Sequence, residues 1–380
     1  MRVLIAPDKF KGSLSATEVA DNLAHGLARA GVDSVTLPLA DGGDGSVAAA
    51  LAAGMRSRTC VVAAALGRPH HTTIAIDEAT AVVEVANTCG LATLPRGVLA
   101  PMTASSYGFG EAIRHVIDLG ARRVVLALGG SASTDGGVGT LAALGYTFHD
   151  HDGRRLTPTA ADLHRIDVVC AADAPDLRGI ELVVASDVTS PLTGPSGAAA
   201  VYGPQKGATA VDIARLENGL DHLVTALQRS GWDNAAAHAA TPGAGAAGGC
   251  GFAGLLLGAR IVSGADYFLD LLDFDRHLLG TDLVITGEGR LDQQTLTGKL
   301  PAVVARRAAP IPVVAVVGRN DLTCPTTLFA DTYAVVDYAG TDTAHDPKRT
   351  ATQLRHIGAQ IGQRAHTYRP NRVVHADGIN

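Results

Sequence analysis

Five times along this chain a short apolar run ends in a loop bearing charged or hydroxyl side chains, and four of the five loops also carry glycine. The loops are Pro7–Ser13, Asp41–Ser46, Gly129–Gly137, Ser186–Pro191 and Thr286–Asp292. In open α/β sheets, ligands bind at the carboxyl ends of strands, so reactive residues placed there repeatedly argue for a site. Glycine, aspartate and serine are also ordinary loop residues, and that reading is the better one for any single segment. It fits five in succession poorly.

The surrounding pattern is α/β. Val3–Ala6 reads as a buried strand, and Val19, Leu23 and Leu27 follow at helical spacing. Ser15 with Glu18 three residues on forms a capping-box signature. Val35–Leu39 reads as a second strand and Gly45–Ala53 as a helix, an order that predicts a parallel sheet. The rhythm then changes. Thr59–Ala64, Thr72–Ile76 and Ala81–Ala86 are short strands with tight connections, which favours antiparallel pairing. Tyr107–Leu119 reads as a helix, Arg123–Leu128 and Glu181–Ala185 as strands, and Phe148–Arg154 as a hairpin turning at Asp152-Gly153. Val211–Arg229 is a long amphipathic helix. Alternation resumes with strands Leu283–Thr286, Val313–Val317 and Tyr333–Val336, helix Pro301–Ala309 and a last helix from Pro347 to about Ala365.

This predicts two α/β domains. One is a doubly wound, flavodoxin- or Rossmann-like parallel-sheet domain, discontinuous in sequence, from residues 1–58 and 271–366. The other is a mixed α/β domain, 59–270, inserted into it, with the active site in the cleft between them. Residues 367–380 read as a flexible tail.

The length of 380 residues suits two cores. Charged residues make up 18% and the net charge is −6, so there is no basic footprint for nucleic acid. Cys60, Cys89, Cys170, Cys250 and Cys324 are scattered and lack CxxC spacing, which argues against a zinc site or disulfide framework and suits a reducing, cytoplasmic setting. No apolar run reaches the roughly 18 residues of a membrane span, and the amino terminus lacks a signal-peptide pattern.

Glycine lets a backbone approach an anion closely and lets successive N–H groups converge on it. Gly129–Gly137 before a helix fits that use. Pro242–Gly249 fits it too, although close packing through small residues explains that stretch equally well. Gly243–Gly248 matches G-x-G-x-x-G without a clear strand before it, and Gly298-Lys299 lacks the upstream glycine of a P-loop. The histidines lack ligand spacing, and Ser131 is not in a G-x-S-x-G elbow. A bound phosphate would bring Mg²⁺, which takes one or two carboxylates. Asp41, Asp44, Asp187, Glu288 and Asp292 are the candidates. Lys9, Lys11, Lys206, Arg290 and Lys299 are cations suited to phosphate or to a substrate carboxylate.

The order of segments resembles the bacterial glycerate kinase family, type II. The resemblance is carried by Ala6–Ser15, Ala40–Gly45, Leu128–Gly137, Gly203–Ala208, Pro242–Gly249, Asp282–Gly289, Asp292–Thr295 and Gly298-Lys299, within about residues 1 to 362. It implies ATP- and Mg²⁺-dependent phosphorylation of a D-glycerate hydroxyl to 2- or 3-phosphoglycerate. With the strand-end placement, it implies phosphate binding by Gly129, Gly130, Ser131, Ser133, Gly136 and Gly137, and metal binding by Asp187 and Glu288. Lys9, Asp41, Asp44 and Asp187 would be catalytic, with Asp41 or Asp44 orienting the attacking hydroxyl. Lys11, Ser13, Lys206 and Arg290 would bind substrate. The family pattern has Glu-Gly-Thr where this chain has Asp44-Gly45-Ser46, which keeps a carboxylate and a hydroxyl. It has an Asn where this chain has Ser190. A kinase for another small hydroxy acid and a non-catalytic nucleotide-binding regulator are the rival readings. Oligomeric state is left open, with a homodimer among the options.

Overall fold

The computed structural model describes residues 1–171, 173–324 and 326–368, and its chain opens with strand β1 (Arg2–Ile5), helix Ala16–Arg29 and strand β2 (Asp33–Thr36). The first helix starts where the capping box predicts. Ser15 Oγ accepts the Glu18 amide at 3.2 Å, and the Glu18 carboxylate accepts the Ser15 amide at 2.8 Å. Val19, Leu23 and Leu27 are its buried face.

From Asp41 the chain enters a second unit that runs to Tyr267. Helix Ser46–Ala52 leads to β3 (Arg56–Ala63), β4 (Pro69–Asp77) and β5 (Thr80–Glu84), paired antiparallel as the spacing implies. Strand β6 (Arg123–Ala127) pairs parallel with β5. A side sheet follows from β7 (Thr147–His149), β8 (Arg155–Leu156) and β9 (Val168–Cys170), its hairpin turning at Gly153. Strands β10 (Glu181–Ala185) and β11 (Arg260–Val262) then complete a mixed six-stranded sheet of order β11-β10-β6-β5-β4-β3.

The chain returns to the first unit from Phe268. It adds β12 (Leu283–Thr286), β13 (Arg290–Leu291), β14 (Val313–Val317), β15 (Arg319–Asn320), β16 (Asp331–Ala334) and helix Pro347–Arg364. The main sheet here is parallel throughout, of order β16-β14-β12-β1-β2. Its central strands are apolar without alternation, as a sheet covered on both faces requires; all of Val313–Val317 is buried. Counted within the unit the order is the flavodoxin-like 2-1-3-4-5, and the winding reverses between β1 and β12. The carboxyl ends of those two strands form the switch point at which such sheets bind ligands.

The observed boundaries differ from the expected 58/59 and 270/271. They fall after Ala40 and after Tyr267. The reason is packing: helix Ser46–Ala52 lies against β4 and β5 of the inserted unit, and sequence order does not say which sheet a helix covers. Residue Tyr368, expected in a flexible tail, is buried and bonds to Tyr333 and Asp331. The rest of that expected tail, 369–380, lies outside the described residues. Among the described residues no helix is long and apolar enough to cross a membrane.

Candidate active site

In the inserted unit, β5, β6 and β10 lie side by side and parallel, so their carboxyl ends carry Glu84, Gly129-Gly130 and Asp187 to one edge. The Asp41–Gly45 loop is laid across that edge. Leu128 donates its amide to the Gly42 carbonyl at 2.8 Å. Gly42 has φ +81°, and a Cβ there would lie 2.1 Å from the Ala185 carbonyl oxygen, so only glycine fits. The Glu84 carboxylate, 4% exposed, accepts the amides of Gly45 and Val47, each at 3.0 Å. Asp44 stands beside Gly130, its Cβ 3.6 Å from where a Gly130 Cβ would be.

Asp187 accepts the Gly264 and Ala265 amides at 2.9 and 3.2 Å and so starts the helix Gly264–Leu271. Gly264 in turn presses on Asp41, whose carbonyl oxygen would be 1.9 Å from an added Cβ. Asp41 and Asp187 are therefore neighbours. Burial of the Asp187 carboxylate, and next the Asp41 charge, push Asp187 up from the ordinary aspartate value.

The Gly129–Gly137 loop is mostly interior. Gly130 is exposed and Gly129 half-buried, whereas residues 131–140 are all buried. Asp135, with no exposure, accepts the Ser106 amide (2.8 Å), the Ser106 hydroxyl (2.9 Å), and the Gly137 and Gly139 amides (3.1 and 3.4 Å). Burial pushes its carboxyl up, and these donors pull the other way. Lys206, 2% exposed, donates from Nζ to Ser131 Oγ at 2.8 Å and to the Ser133 carbonyl at 2.5 Å.

This geometry corrects several expectations. The amide of Gly136 is given to the Gly248 carbonyl at 2.9 Å and that of Gly137 to Asp135, so neither is turned to a phosphate. Ser133 is fully buried. Lys206, expected to bind substrate, has its ammonium buried against Ser131 and Ser133. The second glycine stretch turns out to be support: at Gly248, φ +67°, a Cβ would sit 2.1 Å from the Ser133 carbonyl oxygen.

In the parallel-sheet unit, the Asp8 amide donates to the Gly287 carbonyl at 2.8 Å, which joins the loops after β1 and β12 at the switch point. Lys9 Nζ lies 3.5 Å from the Asp8 carboxylate, and Lys11 is exposed. Glu288 accepts the Thr295 hydroxyl at 2.5 Å, and Asp292 pairs with Lys299 at 3.1 Å. Two expected substrate ligands are engaged elsewhere. Ser13 donates to the Thr350 hydroxyl at 3.0 Å, and Arg290 pairs with Asp321 at 2.6 Å. Asp187 and Glu288, expected as joint metal ligands, belong to different units; within its own unit Asp187 has Asp41 as its carboxylate neighbour.

Sequence reasoning missed Glu84 and Asp135. Glu84 had a signal, since it is the one charge in the apolar run Ala81–Ala86. Asp135 had none, because an aspartate among glycines and serines reads as a turn residue.

Glycine turns with carboxylates in one unit, and lysines in the other, stand at the strand ends of an α/β protein. Residues 3–366 match the model of the glycerate kinase family, and the chain belongs to that family of kinases. It is 39% identical over 327 residues to the glycerate kinase of Bacillus subtilis strain 168, covering 84% of this chain and 85% of that protein. It is 37% identical over 330 residues to the glycerate 2-kinase of Escherichia coli K12, covering 84% and 85%. A crystal structure assigned to glycerate kinase 2 from Salmonella typhimurium LT2 superposes with a TM-score of 0.79 at 33% identity, covering 97% of this chain and 98% of that one.

Proposed function

We propose that the protein is an ATP-dependent glycerate kinase that transfers the γ-phosphoryl group of ATP to a hydroxyl of D-glycerate, giving 2- or 3-phosphoglycerate and ADP. The observation that carries this reading is the Asp41–Asp187 pair beside the solvent-facing Gly129-Gly130 turn, in a chain of this family. Gly129 and Gly130 bring backbone close to the phosphates, with Ser131 behind them. Asp44, next to Gly130, or Asp41 accepts and orients the attacking hydroxyl. At the switch point of the parallel sheet, Lys9 and Lys11 supply positive charge for a carboxylate. Phosphoryl transfer asks mainly for such positioning and electrostatic stabilisation.

Mg²⁺ suits the donors present. Asp41 and Asp187 offer oxygen ligands only, they repel one another without a cation, and Mg²⁺ commonly takes two carboxylates with phosphate oxygens. Asp187 is the first candidate to hold it with Asp41, and Glu288 is the candidate of the other unit. When bound, the ion would neutralise charge on the transferring phosphates.

The five free thiols fit a reducing cytoplasm, and a homodimer is the assembly to test by light scattering. The deciding experiment incubates the protein with D-glycerate, ATP and Mg²⁺ and follows ADP in a coupled assay, with phosphorus NMR to identify the product. ADP release with tartronate or a longer sugar acid but not with glycerate would redirect the substrate. No ADP release with any acceptor would favour the regulatory reading.

A further inference from the structure

We propose that the Lys206 ammonium is a tethered internal cation that holds the Gly129–Gly137 loop in its phosphate-receiving shape, making Lys206 a positioning residue that does not itself touch substrate. The proposal rests on the reading above that ATP phosphates meet this loop.

Three observations carry it. First, Lys206 is almost completely buried, yet among the described residues its ammonium makes no ion pair; it donates instead to Ser131 Oγ at 2.8 Å and the Ser133 carbonyl at 2.5 Å. An ammonium so desolvated is costly, and these two hydrogen bonds offset part of that cost. Second, Asp135 sits in the same loop, fully buried, and gathers four N–H and O–H donors around its carboxylate. A cation and an anion thus bind successive parts of residues 131–137, and both ends are fixed by hydrogen bonds to backbone. Third, two hydroxyls of the loop contribute nothing to fixing it. Ser133 Oγ and Thr134 Oγ1 are buried with no hydrogen-bond partner among the described residues. Such a segment keeps its shape through its neighbours: Gly248 packs on the Ser133 carbonyl, Gly90 bridges Ser131, and Lys206 is the side chain that donates to both Ser131 and Ser133.

The ionisable groups facing the ammonium are Asp135 in the loop, Cys89 on the helix Val85–Cys89 and Cys250 on the helix Cys250–Leu256. Burial pushes the Cys89 thiol up to about 12 and Cys250 further, so both are neutral near pH 7. Among the described residues Asp135 is then the one carboxyl that faces it. Burial pulls Lys206 down to about 8. The ammonium is therefore present at neutral pH and is lost in mildly alkaline solution, earlier than for a lysine in water.

The test measures Mg²⁺-ATP binding directly, by equilibrium dialysis on the full chain. Lys206→Ala removes three methylenes and the ammonium, a volume matched by n-propylammonium. Its Kd for ATP should rise on the order of tenfold, since two buried acceptors lose their donor. Added n-propylammonium should bring Kd back severalfold, while propan-1-ol, similar in shape but uncharged, should not. An unchanged Kd, or equal recovery with the alcohol, would overturn the proposal. Should the variant not fold, the wild type alone decides the matter: its ATP Kd should rise as pH passes about 8, and a flat profile from neutral to alkaline pH refutes the idea. ATP binding without turnover of glycerate overturns only the substrate assignment. A wild type that binds no ATP overturns both.

Discussion

The buried carboxylate of Glu84 accepts the Gly45 amide at 3.0 Å, and this contact ties the end of β5 to the loop that carries Asp41 and Asp44. The second oxygen takes the Val47 amide at 3.0 Å, at the start of the helix Ser46–Ala52. One side chain therefore sets the position of two candidate catalytic carboxylates without itself facing solvent.

Glu84→Ala should destabilise the protein by about 2–3 kcal/mol, because a buried amide and a half-buried one lose their acceptor. Glu84→Gln, which keeps one acceptor oxygen, should cost about half as much. Urea denaturation with a shared m-value checks this. Turnover should fall more than stability for both variants, since the loop they release bears Asp41 and Asp44. Loss of stability with full turnover would detach Glu84 from the site.

Asp187→Asn should lower turnover about a hundredfold, in the range for removing a preorganised electrostatic group, and should weaken the dependence on Mg²⁺. The linkage has a definite sign. The folded carboxyl holds its proton more tightly than the unfolded one, so stability declines as pH rises from the ordinary aspartate value through the raised one. The variant lacks that decline, which thermal melts across mildly acidic pH would show as a flatter profile. Unchanged turnover with retained Mg²⁺ dependence would remove Asp187 from the machinery.

Much of this architecture was legible in the chain itself. Period and apolar runs placed Val313–Val317 and Glu181–Ala185 to the residue, and Ser15 with Glu18 marked a helix start. What the sequence hid was tertiary. Nothing local says that the helix Ser46–Ala52 packs on β4 and β5, or that Tyr333–Val336 passes from strand to helix after Ala334. The glycine loop was found, but which of its amides were already committed depended on Asp135 and Gly248, and only folding reveals that. Likewise Lys206 looked like a turn lysine ready for substrate, and its burial could not be read from Gly203–Gly207.

Lys206 also leaves a mark on stability. Its folded value of about 8 lies below the ordinary 10.5, so between these the unfolded chain binds more protons and the fold gains stability as pH rises. The slope is on the order of one kcal/mol per pH unit within that window. Cysteine and tyrosine titrations act on both proteins alike, so the difference between wild type and Lys206→Met isolates the lysine. That difference should shift in favour of the wild type from pH 8 toward 10 and be constant below about pH 7.

Gly42→Ala should cost about 3 kcal/mol or more, because the new Cβ needs both an unfavourable left-handed backbone and space held by the Ala185 carbonyl. The loop cannot lift without breaking the bond from the Leu128 amide to the Gly42 carbonyl. Turnover should collapse in the fraction that stays folded. Gly45→Ala separates the two causes. Gly45 is left-handed, φ +94°, with nothing near its missing Cβ, so it should cost only the backbone share, about 1 kcal/mol. Equal losses in chemical denaturation would show that the contact with Ala185 is not what constrains the loop.

Tyr368 anchors the end of the described chain to the parallel sheet. Its ring is 8% exposed, and its hydroxyl bonds to Tyr333 at 2.8 Å and donates to Asp331 at 3.0 Å, both on β16. Arg364 completes the group, donating to the Tyr333 hydroxyl at 2.9 Å and pairing with Asp331 at 3.2 Å. Tyr368→Ala empties a packed position and leaves polar partners short, for a loss of about 3–4 kcal/mol. Tyr368→Phe keeps the ring and removes only the hydroxyl, for about 1 kcal/mol. Because β16 is the edge strand next to β14, the alanine variant should show faster amide exchange at Asp331–Ala334 before any change at β1. Uniform exchange across the sheet would mean that this contact stabilises the unit as a whole and does not hold its edge.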